Sequence, residues 1–98
     1  MEKRTPHCKL PVVKALIAAG SVRSTISALT SGAALGFDFA GMVSIVMALT
    51  SADFYKSMTT NVDHRVWQDV YRPSTPAGEI YLKLTVIDDV VIVSFKEL

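Results

Sequence analysis

The chain has 98 residues, half of them hydrophobic, and a formal net charge of +1. That suits a single domain, residues 1–98, whose apolar core needs no metal or disulfide support, and it excludes a strongly charged protein. The one cysteine, Cys8, excludes an intramolecular disulfide and fits a reducing cytoplasm.

The first segment is basic. Lys3, Arg4, Lys9, Lys14 and Arg23 are offset only by Glu2. Such an arm either meets nucleic acid or an acidic partner, or is a solvated terminus followed by the outer face of a helix. Pro11 and Lys14 interrupt the apolar run that a signal peptide needs. His7 and Cys8 are neighbours, but only His64 remains among the His and Cys residues, so no metal site is expected.

Leu10 to Ala19 reads as a first helix. Pro11 suits its first turn, Leu10, Val13, Leu16 and Ile17 form an apolar face, and Gly20 is a left-handed stop. Val22 to Ile26 is a short extended piece, and Ser27 to Leu35 a second helix ending at Gly36. Asp38 caps a third helix, Phe39 to Leu49, which is apolar nearly all round and so expected to be buried, its methionines serving as core. The apolar stretch from Phe39 to Ala52 is bounded by Asp38 and Asp53, short of the roughly 20 residues that span a bilayer, so no membrane segment is expected. Thr50 to Asp53 begins one more turn with a capping-box pattern.

The periodicity then becomes extended. Tyr55 to Thr60 and Val66 to Arg72 are strands. The second sets Val66, Gln68, Val70 and Arg72 on one face against Trp67, Asp69 and Tyr71 on the other. Pro73 to Ala77 is a loop. Gly78 to Lys96 is a β-hairpin about Asp88-Asp89. A two-residue turn there opposes Leu82 to Phe95, Leu84 to Val93 and Val86 to Val91 on an apolar core face. It opposes Lys83 to Ser94 and Tyr81 to Lys96 on the other face.

The architecture is therefore α+β: helices first, then an antiparallel meander of three or four strands with helices on one face. On the uncovered face, Lys56, Gln68, Arg72, Tyr81, Lys83 and Lys96 are the polar groups able to converge. Cations, an amide and a phenol suit an anionic substrate, and RNA above all, because RNA supplies its own nucleophile, the 2′-OH. The same residues also fit an ordinary exposed sheet face. A DNA-binding regulator is disfavoured, since no basic recognition helix is visible.

MEKRTPH, SADFYKSMTT, WQDVYRP and IYLKLTVIDDVVIVSFKE together resemble the MqsR toxins, over nearly the whole chain. The resemblance implies a RelE-like fold, an antiparallel sheet of three to six strands with helices on one face. It implies a ribosome-independent endoribonuclease that cuts mRNA at GCU-type sites without a cofactor. It also implies an MqsA-type antitoxin as partner, with operator DNA reached only through that complex. The family's active-site positions fall on Lys56, Gln68, Tyr81 and Lys96, with Arg72 and Lys83 as RNA-binding residues beside them. Asp88 stands where relatives carry a histidine, so no imidazole role is assigned there. The expected roles are Lys56 as base, its pKa depressed by neighbouring cations, and Lys96 and Arg72 as stabilisers of phosphorane charge. Tyr81 is the expected proton donor and Gln68 a positioning group. The competing reading is a non-catalytic RelE-like module that acts by binding a protein.

Overall fold

The computed structural model describes all 98 residues. Three helices, α1 (Leu10–Ala18), α2 (Ile26–Ala34) and α3 (Phe39–Met47), cover one face of a sheet. The strands are β1 (Glu2–Lys3), β2 (Val22–Ser24), β3 (Phe54–Thr59), β4 (Trp67–Tyr71), β5 (Ser74–Thr75), β6 (Gly78–Ile87) and β7 (Asp89–Glu97). Their order is β1-β3-β4-β6-β7-β2, with the two-residue β5 paired to β6. The expected meander β3-β4-β6-β7 forms the centre, and it is antiparallel throughout. Three short strands complete the sheet: β2 falls within the extended piece expected at Val22 to Ile26, whereas β1 and β5 were not announced by the sequence pattern. One of them, β2, runs parallel to β7, so the sheet is mixed rather than wholly antiparallel.

The helices start and stop where the local chemistry dictates. Pro11 sits in the first turn of α1, where its missing N–H costs nothing, and Gly20 follows the end at φ 83°. The Thr25 hydroxyl accepts from the Ala28 N–H at 3.1 Å and so starts α2 one residue earlier than expected. The Asp38 carboxylate accepts from the Gly41 N–H at 2.7 Å and caps α3. Gly32 lets α2 and α3 approach, because a Cβ there would lie 2.7 Å from the Met42 sulfur. α3 does not conform to the all-round burial expected of it. Met42 and Val46 are fully buried, but Phe39 and Met47 are each 38 % exposed. The helix packs against α1 and α2 and buries Met42 and Val46 in the core, leaving its other face partly open.

The core joins Val13, Ile17, Ala28, Met42, Val46 and Leu49 of the helical layer to one face of the sheet. That face presents Tyr71, Ile80, Leu82, Leu84, Val90, Ile92 and Phe95. Leu82 opposes Phe95, Lys83 opposes Ser94 and Tyr81 opposes Lys96, as the hairpin pattern predicts. Closer to the turn the predicted register is wrong. Asp88 alone takes the left-handed conformation, at φ 65°, so Ile87 faces Asp89, Val86 faces Val90 and Leu84 faces Ile92. A β-bulge at Val93 absorbs the difference and restores the register beyond it. Ile92 therefore takes the core position expected for Val93, which is only half-buried, while Val91 lies beside Thr85 rather than Val86. The Val93 carbonyl accepts from the Thr25 hydroxyl at 3.0 Å, which ties the irregular step to the start of α2.

The basic amino-terminal arm is not simply solvated. β1 pairs with the edge of β3, and the buried Asp69 carboxylate accepts from the His7 and Cys8 N–H groups at 2.9 and 3.0 Å. Lys3 lies over the Trp67 ring at 4.1 Å. No single helix is long and apolar enough to cross a membrane.

Candidate active site

Strand alternation fixes which residues share the helix-free face. Tyr71 and Asp69 oppose Leu82 and Leu84, so they belong to the helix side; Val70 opposes Lys83 and belongs to the outer side. Lys56 opposes Val70, and Met58 opposes Gln68. Lys56, Gln68, Tyr81, Lys83 and Lys96 accordingly all point away from the helices. Arg72, one residue past β4, joins them. The face reads as three rows across the strands. Lys56, Val70, Lys83 and Ser94 form the middle row, and Tyr81 with Lys96 lies next to it on one side, Met58 with Gln68 on the other. Lys56 on β3 and Lys96 on β7 are three strand spacings apart, about 14 Å across the sheet. The Lys83 and Lys96 ammonium groups lie 5.7 and 5.3 Å from the centre of the Tyr81 ring.

The charge states differ from the expectation. The Glu2 carboxylate of β1 accepts from the Lys56 Nζ at 2.5 Å, and this bond holds the Lys56 pKa above the ordinary lysine value. The same contact keeps Glu2 below the usual carboxylate range. The expected depression of Lys56 by its neighbours is thus reversed, because Glu2 folds back onto it, a contact that strand pattern does not reveal. The depressed amine is Lys83. Partial burial on the central strand, then repulsion from Lys96 and Lys56, pushes it below the ordinary value.

Three further residues enter the site. Glu2 and Arg4 arrive with the amino-terminal arm, and Tyr55 arrives through a bulge. Phe54 opposes Tyr71 and Lys56 opposes the adjacent Val70, which leaves Tyr55 without a partner. Strict alternation would send Tyr55 to the face opposite Lys56. Instead its ring has the guanidinium of Arg72 at 4.1 Å, that of Arg4 at 5.6 Å and the Lys56 ammonium at 5.5 Å. The aromatic preceding Lys56 was the only sequence signal available, and a bulge is not legible in it.

A cavity of about 390 Å³ lies off this face, lined by Lys9, Leu10, Phe54 and Tyr71 among others. The buried Tyr71 hydroxyl has no hydrogen-bond partner, and burial followed by the nearby Asp69 raises its pKa strongly. Arg4 also lines the cavity, but none of Lys56, Arg72, Lys83 and Lys96 does. No three His, Cys, Asp or Glu side chains gather at one point.

Residues 5–97 match the family described as motility quorum-sensing regulator, toxin of MqsA. The chain belongs to the MqsR toxin family. It is 60 % identical over 97 residues to the mRNA interferase toxin MqsR of Escherichia coli strain K12, covering 99 % of each chain.

Proposed function

We propose that this chain is the toxin of a toxin–antitoxin pair, an endoribonuclease that cuts single-stranded mRNA at GCU-type sites and is neutralised by an MqsA-type antitoxin. The observation that carries the reading is the gathering of Lys56, Gln68, Tyr81 and Lys96, with Arg72 and Lys83, on the one sheet face that no helix covers. A cluster of cations around a phenol attracts a phosphodiester and repels a divalent metal ion.

The substrate's 2′-OH attacks the adjacent phosphorus while its proton passes to a base. Lys83 is assigned as the base from its place on the central strand of this face, with the Tyr81 ring 5.7 Å from its ammonium; burial and then Lys96 and Lys56 lower its pKa, which favours that role. Lys56, held as an ammonium by Glu2, takes the stabilising role together with Lys96 and Arg72, and these cations offset the charge of the phosphorane. The bond to the 5′ oxygen then breaks, and the Tyr81 hydroxyl donates to the departing oxygen. Gln68 positions the ribose or phosphate through its amide. The products are a 2′,3′-cyclic phosphate and a 5′-OH end.

Purified protein incubated with GCU-containing RNA tests this directly. Tyr81→Phe and Lys96→Ala should each lose about 10²–10⁴-fold in cleavage rate with an unchanged thermal melt. If wild-type protein leaves the RNA intact yet still arrests growth, the non-catalytic, protein-binding reading replaces this one.

A further inference from the structure

We propose that Tyr55 is the platform on which a base flanking the scissile phosphate stacks, with Arg72 serving both that stack and the phosphate. The inference rests on the endoribonuclease reading and names how that site holds its substrate. The bulge at Tyr55 turns two consecutive side chains, Tyr55 and Lys56, to one face, so an aromatic ring and a cation of the reaction centre sit side by side. The ring is half-buried, which leaves part of it open to a ligand. Arg72 lies against it at 4.1 Å. The ion pairs of the chain use Arg23, Arg65 and Lys56, so the Arg72 guanidinium is in none of them. Its N–H groups can take phosphate oxygens while it stays against the ring, a division of labour that guanidinium geometry permits. Arg4 adds a further cation 5.6 Å from the centre of the same ring. An aromatic ringed by cations beside a phosphodiester-cleaving centre has the chemistry of a nucleotide seat: the base takes the π face and the phosphate takes the charge. The alternative is that Tyr55 only anchors the amino-terminal arm through Arg4.

The experiment measures binding by fluorescence anisotropy, using a short single-stranded RNA with one GCU. Its ribose at the cleavage position is 2′-O-methylated, and each base is removed in turn by an abasic nucleotide. For wild-type protein, loss of one base next to the cleavage position should weaken binding by about 5- to 150-fold. Tyr55→Leu should lose a similar factor on intact RNA and become indifferent to that abasic position. Tyr55→Phe should restore both the affinity and the position dependence, and the melting temperatures should match. Tyr55→Leu that binds intact RNA like wild type, or that weakens every RNA equally while keeping the position dependence, overturns the inference. In either case wild-type cleavage of unmodified RNA leaves the endoribonuclease reading standing. Wild-type protein that neither binds nor cleaves the RNA removes both.

Discussion

Lys56 and Lys83 point from one row of the open face, on either side of Val70, yet their environments pull them in opposite directions. Glu2 raises the pKa of one; burial and two ammonium neighbours lower that of the other. The signs lead to separate pH behaviours. Lys83 binds its proton less tightly in the folded chain than in the unfolded chain. Its charge therefore works against folding below its folded pKa, and the penalty is relieved as pH rises from there to about 10.4. Lys83→Met should accordingly raise the melting temperature near neutral pH, with the gain shrinking in alkaline buffer. Lys83→Met should also abolish the rise of cleavage rate with pH, a rise whose midpoint in the wild type lies below the ordinary lysine value. Lys56 has the opposite sign: its pairing with Glu2 stabilises the fold below the ordinary lysine pKa and is lost as pH climbs through the raised one. Single-turnover rates of Glu2→Gln should therefore fall off at a lower pH on the alkaline side than those of wild type. An alkaline limb that does not move separates Glu2 from the chemistry.

The hairpin and the two bulges are the elements that build the site. The alternation of β6 and β7 was readable in the sequence; the pairing of Tyr81 with Lys96, expected from a two-residue turn, holds because the bulge at Val93 offsets the one-residue turn at Asp88. What pattern alone did not supply was the step at Val93, whose carbonyl is claimed by Thr25 from a distant part of the chain. The step at Tyr55 escaped for the same reason: a bulge breaks the two-residue period on which strand reading depends. The Val93 bulge makes a contrast that stability measurements resolve. Ile92→Ala removes a fully buried core side chain and should cost about 2–5 kcal/mol. Val93→Ala acts on a half-buried position and should cost much less; equal losses in denaturant unfolding would restore the unbulged register.

At the scale of the whole molecule, one layer of helices leaves one broad face of the sheet open, and the sheet ends in two short strands, β1 and β2. The α+β class and the bare face were legible from the helix-then-strand order. The role of the first residues was not, because Glu2 and Arg4 acquire meaning only when Asp69 pins the following segment against β4. Edge strands with unpaired backbone groups are ready to accept a partner strand, which makes them the expected surface for an MqsA-type antitoxin. Co-expression with the product of the neighbouring gene should give a complex that survives affinity purification and abolishes RNA cleavage. Free toxin in that preparation would count against the pairing.

The central claim is that a cationic face, assembled by strand register, makes the RNA's own 2′-OH cut the chain. The most direct measurement is incubation of the purified protein with GCU-containing RNA in excess EDTA, followed by analysis of the product ends. The account predicts undiminished cleavage, with 2′,3′-cyclic phosphate and 5′-OH termini, and strong loss of rate in Lys96→Ala. Cleavage that stops when EDTA is added, or fragments that end in 3′-OH, would contradict it.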